Sequence, residues 1–144
     1  MSIQARQELC SKLVFQHASQ KADLLDVNKT QTQLIALLLG LTNMGWHIEI
    51  TAVRSDHSDD SGLGFHCHAH GFCADLWPLA NATPGNYIDA NEPKFAQFLH
   101  DASISPWLYQ IGLAGSAWMQ TNVDAAGPTV FADSGPDHIH LGAN

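Results

Sequence analysis

Leu34, Ile35, Leu37, Leu38 and Leu41 are apolar on nearly every side of a helix. Such a helix must be covered all round, so the rest of the chain has to be built about it. Asn28 or Thr30 supplies an N-cap with Gln31 or Gln33 three places on. Asn43 and Gly45 stop the helix. The run Leu34–Leu39 is the longest apolar stretch and is far too short to cross a bilayer. With 144 residues, the chain suits one domain over 1–144, large enough to bury a core without staples.

Other elements are read from periodicity. Residues 3–20 form a helix with Leu9, Leu13, Val14 and His17 on one stripe. Ile48, Ile50 and Ala52 alternate with His47, Glu49 and Thr51, which predicts a half-buried strand running into Arg54. Residues 55–64 (SDHSDDSGLG) are a polar loop. Phe72–Leu76 is a short strand, followed by a loop containing Pro78, Pro84 and Gly85. Glu92-Pro93 opens a helix that turns Phe95, Phe98 and Leu99 inward and ends before Pro106. Trp107–Ala114 and Thr129–Ala132 are strands, and Ser134-Gly135-Pro136 turns the chain into a last strand, Asp137–Leu141. Helices first and short strands later predict an α+β fold: a small antiparallel sheet flanked by helices.

Fourteen acidic and six basic residues give a net charge of −8. This balance disfavours a sequence-independent grip on nucleic-acid phosphates or on an anionic membrane. Three cysteines cannot close a disulfide framework and fit a reducing compartment or buried thiols. The first residues lack a continuous apolar stretch, so a soluble cytoplasmic chain without a signal peptide is expected, and work outside the cell requires another route out. Histidine is over-used: nine residues, three of them in Phe65–His70 and two in Asp137–His140. Clustered imidazoles in an acidic chain point first to metal.

Two segments carry that chemistry: His66-Cys67-His68-Ala69-His70-Gly71-Phe72-Cys73-Ala74-Asp75 and Asp137-His138-Ile139-His140. Alternation sets His138 and His140 on one face of a strand, with Ile139 and Leu141 toward the core. A catalytic zinc site needs three protein ligands and an open position for water. His68, Asp75 and His140 supply that set if their strands are neighbours, and Asp137 lies close enough in sequence to take a proton from the water.

The spacing of His68, Gly71 and Asp75 resembles the H-x-x-G-x-A-x-D signature of D-Ala-D-Ala carboxypeptidase-like zinc peptidases. The His138-x-His140 pair resembles the second motif of the wider group that joins lysostaphin-type enzymes, D,D-carboxypeptidases and the hedgehog signalling domain. The resemblance spans residues ~34–142 by the usual boundary error. It implies a hedgehog/DD-peptidase-like fold with zinc (Zn2+) on His68, Asp75 and His140. It also implies Asp137 as general base, and Arg54, from Val53-Arg54-Ser55, as the cation for a substrate carboxylate or oxyanion. His138 would hold substrate or water. The implied activity is hydrolysis of peptidoglycan stem peptides, of the D,D-carboxypeptidase or L-alanyl-D-glutamate endopeptidase type, as in a phage or prophage lysin.

The chain departs from that pattern twice. His66 stands where Ser is usual and offers a competing ligand. Cys73 replaces Ala, and either packs as a small side chain or turns to the metal as a fourth ligand. Register also leaves His70 open as a ligand, although only His68 has the matching distance to Asp75. Two rival readings are a non-catalytic metal-binding module on the same fold and a cupin-type metal-binding barrel. The acidic run from Asp56 to Asp60 is read as solvated rather than calcium-binding. Trp46, Trp77, Trp107 and Trp118 belong to the core or to a cleft wall.

Overall fold

The computed structural model describes residues 2–57, 68–114, 129–133 and 138–144. Asp137, His66, Cys67, Trp118, the 58–64 part of the polar loop and the turn at 134–136 lie outside the described residues. Four helices are present: α1 (Ile3–Lys12), α2 (Ala18–Leu25), α3 (Thr32–Asn43) and α4 (Pro93–Ser103). Six strands, β1 (Leu13–Phe15), β2 (His47–Ala52), β3 (Cys73–Leu79), β4 (Leu108–Ala114), β5 (Thr129–Asp133) and β6 (Ile139–Ala143), make one sheet in the order β1-β2-β3-β6-β4-β5. The α+β class stands. Among the described residues no helix is long and apolar enough to cross a membrane.

Helix α3 is the centre of the core. Leu34, Ile35, Leu37 and Leu38 are fully buried and Leu41 nearly so, each contributing roughly 1.5–3 kcal/mol relative to exposure. The helix stops where Gly45 takes a φ of +97°. Its N-cap is Gln31, not Asn28 or Thr30. The Thr30 hydroxyl is occupied elsewhere, donating to the Asp23 carbonyl and accepting from the Arg6 guanidinium. Arg6 is itself buried and also donates to the carbonyls of Leu24 and Thr30, so it ties the end of α2 to the turn before α3.

Three expectations are corrected. The helix over 3–20 is broken into α1, β1 and α2. Leu13, Val14 and Phe15 instead pair in parallel with Ile48, Glu49 and Ile50, and this tertiary pairing overrides local helix preference. Gln20 restarts the helix by accepting from the backbone N–H groups of Gln16 and His17. The sheet is mixed rather than antiparallel. Only its centre, β2-β3-β6-β4, is antiparallel, while β1/β2 and β4/β5 are parallel. The chain between each parallel pair is long enough to return the second strand in the same direction. Among the described residues, four helices beside a mixed sheet depart from the mostly β build that a cupin-type barrel requires.

Strand β3 runs to Leu79 and takes in Pro78, which was expected in a loop. Pairing with β6 ends at Leu76, so the missing N–H of Pro78 falls beyond that ladder. Glu49, expected on the solvent side, is buried. Its carboxylate accepts from the Gly85 N–H, the Tyr87 hydroxyl and the Gln16 amide, which satisfies the charge there.

The register divides the sheet into two faces. Ala74 pairs with Leu141 and Leu76 with Ile139, and these four join Ile48, Ile50, Ile111 and Leu113 in the core under α3. Their sequence neighbours Cys73, Asp75 and His140 therefore point the other way. Just before β3, Gly71 takes a φ of +79°, and a Cβ there would lie 2.2 Å from the Lys29 carbonyl oxygen. The Gly71 carbonyl accepts from Gln31 N–H at 2.9 Å, so α3 and the approach to β3 meet backbone to backbone.

Gly71→Ala is expected to lower stability by roughly 3 kcal/mol or more, combining left-handed strain with a backbone clash. Gly40→Ala, in α3 with nothing within 4 Å of its Cβ position, is expected to stabilise by roughly 0.5–1 kcal/mol. Urea unfolding of the two variants checks this pair; equal effects would contradict it.

Candidate metal centre

The site is assembled from a turn and two strands. His68 opens the 3-10 turn His68–His70, which Gly71 closes by donating its N–H to the His68 carbonyl. The His68 ring is fully buried and its Nδ1–H donates to the Val53 carbonyl at the end of β2. That bond leaves the Nε2 lone pair pointing inward, the arrangement found in metal-ligating histidines. Asp75 lies on β3 directly opposite His140 on β6.

Three atoms converge. His68 Nε2 is 3.2 Å from Asp75 Oδ1, His140 Nδ1 is 3.2 Å from the same oxygen, and the two ring nitrogens are 3.2 Å apart. A tetrahedral ion with ligands at about 2.0–2.1 Å requires ligand-to-ligand edges of ~3.3 Å. The triangle therefore fits such an ion in donor type and in size. All three side chains are buried, at 0%, 5% and 1% exposure for His68, Asp75 and His140. Clustered lone pairs at that depth are costly unless a proton or cation lies among them.

Burial pushes the Asp75 carboxyl upward. With the imidazoles protonated, as they would be in place of an ion, hydrogen bonds from His140 and His68 and the charges of His68 and His138 outweigh it, so the group is held well below the usual carboxylate range. Asp75 is thus a carboxylate ready to bind a cation. Its other oxygen, Oδ2, faces His57 Nε2 at 3.5 Å and His138 Nε2 at 3.7 Å. The His57 ring stacks on His68 with centroids 3.8 Å apart. His57, His68 and Asp75 each offer a ligand atom within 4.8 Å of the others, a group able to hold a metal ion. Solvent approaches from the side of His57 and His138, whose side chains are 25% and 19% exposed.

Behind His140 stands Gln110, whose amide Nε2 is 3.2 Å from His140 Nε2. As placed, the amide donates to that nitrogen and leaves an Nδ1–H for Asp75. A half-turn of the amide presents its carbonyl to an Nε2–H and frees Nδ1 as a ligand. Gly142 makes room for this side chain, since a Cβ on it would lie 2.5 Å from Gln110 Cγ. The Cys73 thiol accepts from the same amide at 3.8 Å.

Other predicted residues are placed as follows. Arg54 is half-buried, and one guanidinium nitrogen donates to the carbonyls of Asn28 and Lys29. Its backbone N–H, with the N–H and hydroxyl of Ser55, donates to the buried carboxylate of Asp23. His70 is exposed on the turn. Asp56 accepts from Val53 N–H and the Gln20 amide, so both its oxygens serve the loop. Trp46 bonds Asp101 and packs edge-on against Phe98, Trp77 bonds the Ile88 carbonyl, and Trp107 is exposed. Sequence reasoning missed His57, Gln110 and Asp23 as parts of the site. Only His57 carried a signal, as a histidine among carboxylates just after Val53-Arg54-Ser55.

No protein-family model, curated protein or solved structure matches the chain.

Burial raises the Asp23 carboxyl, but the Ser55 hydroxyl, the N–H groups of Ser55 and Arg54, and Lys29 lower it further, so its folded pKa lies below 3.8. The unfolded chain then takes up this proton first as pH falls. The stabilisation is whole above about pH 4 and is lost as pH drops through the folded value. Asp23→Asn is expected to lose roughly 1–3 kcal/mol at neutral pH and to flatten the acid limb of stability against pH. Urea unfolding across that range checks it; parallel acid limbs for the two proteins would contradict it.

Proposed function

We propose that the chain is a zinc-dependent peptidase that hydrolyses peptide bonds in peptidoglycan stem peptides, of the D,D-carboxypeptidase or L-alanyl-D-glutamate endopeptidase type. The observation that carries this reading is the 3.2 Å triangle of His68 Nε2, Asp75 Oδ1 and His140 Nδ1, made by the residues that the H-x-x-G-x-A-x-D and His-x-His resemblances single out. Zinc held there would supply Lewis acidity, polarising a scissile carbonyl and lowering the pKa of a bound water toward ~7.

The chain's own residues do the rest. His68 is held by Val53 and His140 is backed by Gln110, so both rings are aimed before any ion arrives. Asp137, three residues before His140 in sequence, takes the proton of the attacking water and returns it to the leaving amine. Arg54, anchored on the Asn28 and Lys29 carbonyls, receives a substrate carboxylate or developing oxyanion. His57 and His138 line the solvent side of the centre, where substrate enters. In this reading the protein is a phage or prophage lysin, reaching the wall after release from the cytoplasm.

His140→Ala is expected to lose most zinc binding, whereas Asp137→Ala keeps zinc and loses turnover. Zinc content of the purified variants, with mass spectrometry of peptidoglycan digests to identify the new termini, checks both. Equal zinc loss in the two variants would contradict the assigned roles. Bound zinc with no cleavage by the parent protein would instead point to a non-catalytic metal module.

A further inference from the structure

Asp75 has more imidazole around it than one ion requires. Its Oδ1 atom meets two ring nitrogens, of His68 and His140, at 3.2 Å. Its Oδ2 atom also meets two, of His57 at 3.5 Å and His138 at 3.7 Å. The two oxygens of one carboxylate thus each carry the same donor set, two nitrogens and one oxygen. The stack of His57 on His68, with ring planes 4° from parallel, is what delivers two Nε2 atoms to the two oxygens side by side.

The outer pair stands at ion-pair rather than hydrogen-bond distance from the carboxylate. A nitrogen 3.5 Å from an oxygen is at the limit of a hydrogen bond, and one at 3.7 Å is beyond it. The 3.5 Å separation suits two ligands of one ion, since metal–ligand bonds of about 2.1 Å at tetrahedral to trigonal angles give edges of roughly 3.4–3.6 Å, and the 3.7 Å separation needs His138 to close by a few tenths of an ångström. A carboxylate that binds through both oxygens bridges two ions, and hydrolytic two-metal sites place them about 3.5–4 Å apart.

We propose that Asp75 bridges two divalent cations: an inner one on His68, His140 and Asp75 Oδ1, and an outer one on His57, His138 and Asp75 Oδ2. The inference rests on the reading of His68, Asp75 and His140 as ligands. The inner ligands are buried whereas His57 and His138 reach solvent, so the outer ion is the weaker and more exchangeable of the two. It also lies on the side from which substrate comes, where a second cation serves an anionic substrate group.

Zinc titration of the metal-free full-length protein by calorimetry tests this, with bound metal counted after gel filtration. Two equivalents are expected, one tight and one weak. His57→Ala and His138→Ala are each expected to keep the tight equivalent and lose the weak one, with His57→Gln as a second, volume-sparing variant and circular dichroism to confirm folding. The dicobalt form is expected to show magnetic coupling through the shared carboxylate, absent from either variant. A single equivalent in the parent protein overturns the bridged pair and leaves the peptidase reading standing. A second equivalent that survives both substitutions overturns it as well. No tight binding at all overturns both readings.

Discussion

The antiparallel pairing of β3 with β6 is the constraint on which the site depends. It brings Asp75 and His140 face to face, although 65 residues separate them in sequence. The same ladder turns Ala74, Leu76, Ile139 and Leu141 into the core beneath α3. Core and site are therefore two faces of one register. A slip of a single residue would bury the ligands among leucines and expose the apolar set. The hydrophobic burial that fixes the register thus also fixes the ligand geometry, and no separate device is needed to align the two strands.

His68 is outside that ladder and is held by other means. Its ring hangs from the Val53 carbonyl, and its turn is closed by Gly71, whose backbone meets α3 at Gln31. Asp23 holds Arg54 and Ser55 just beyond Val53, while Arg6 ties the turn before α3 to the end of α2. A buried carboxylate and a buried guanidinium are thus used mainly on backbone groups, with Ser55, Lys29 and Thr30 side chains completing them. Both are expensive to bury; Asp23 is met by several donors, and Arg6 uses both terminal nitrogens while its Nε has no hydrogen-bond partner. Their effect is to make the third side chain of the triangle as well placed as the two on the strands.

Much of this was legible in the sequence where local pattern and tertiary role agree. The all-round apolar helix, the period of two in His138-Ile139-His140-Leu141 and the distance from His68 to Asp75 each follow from residue order, and the structure places those residues accordingly. Legibility failed where a distant partner decides the outcome. Leu13-Val14-Phe15 has a helical stripe, yet it becomes a strand because Ile48 and Ile50 offer a parallel edge. Glu49 sits at a polar position in its alternation, yet it is buried because Gly85, Tyr87 and Gln16 close over it. His57 and Gln110 reach the centre from a loop and from a strand whose neighbours cannot be read from spacing alone. The D,D-peptidase resemblance rests on short motifs, and no match to a known family adds to it.

In the proposed centre, two imidazoles and one carboxylate, and no thiolate, hold the cation. X-ray absorption at the zinc edge of the zinc-loaded protein tests it most directly. The account predicts nitrogen and oxygen ligands at about 2.0–2.1 Å, with the scattering of two imidazoles per ion. A sulfur shell near ~2.3 Å, which would place Cys73 on the metal, or a spectrum with no imidazole scattering, would contradict it.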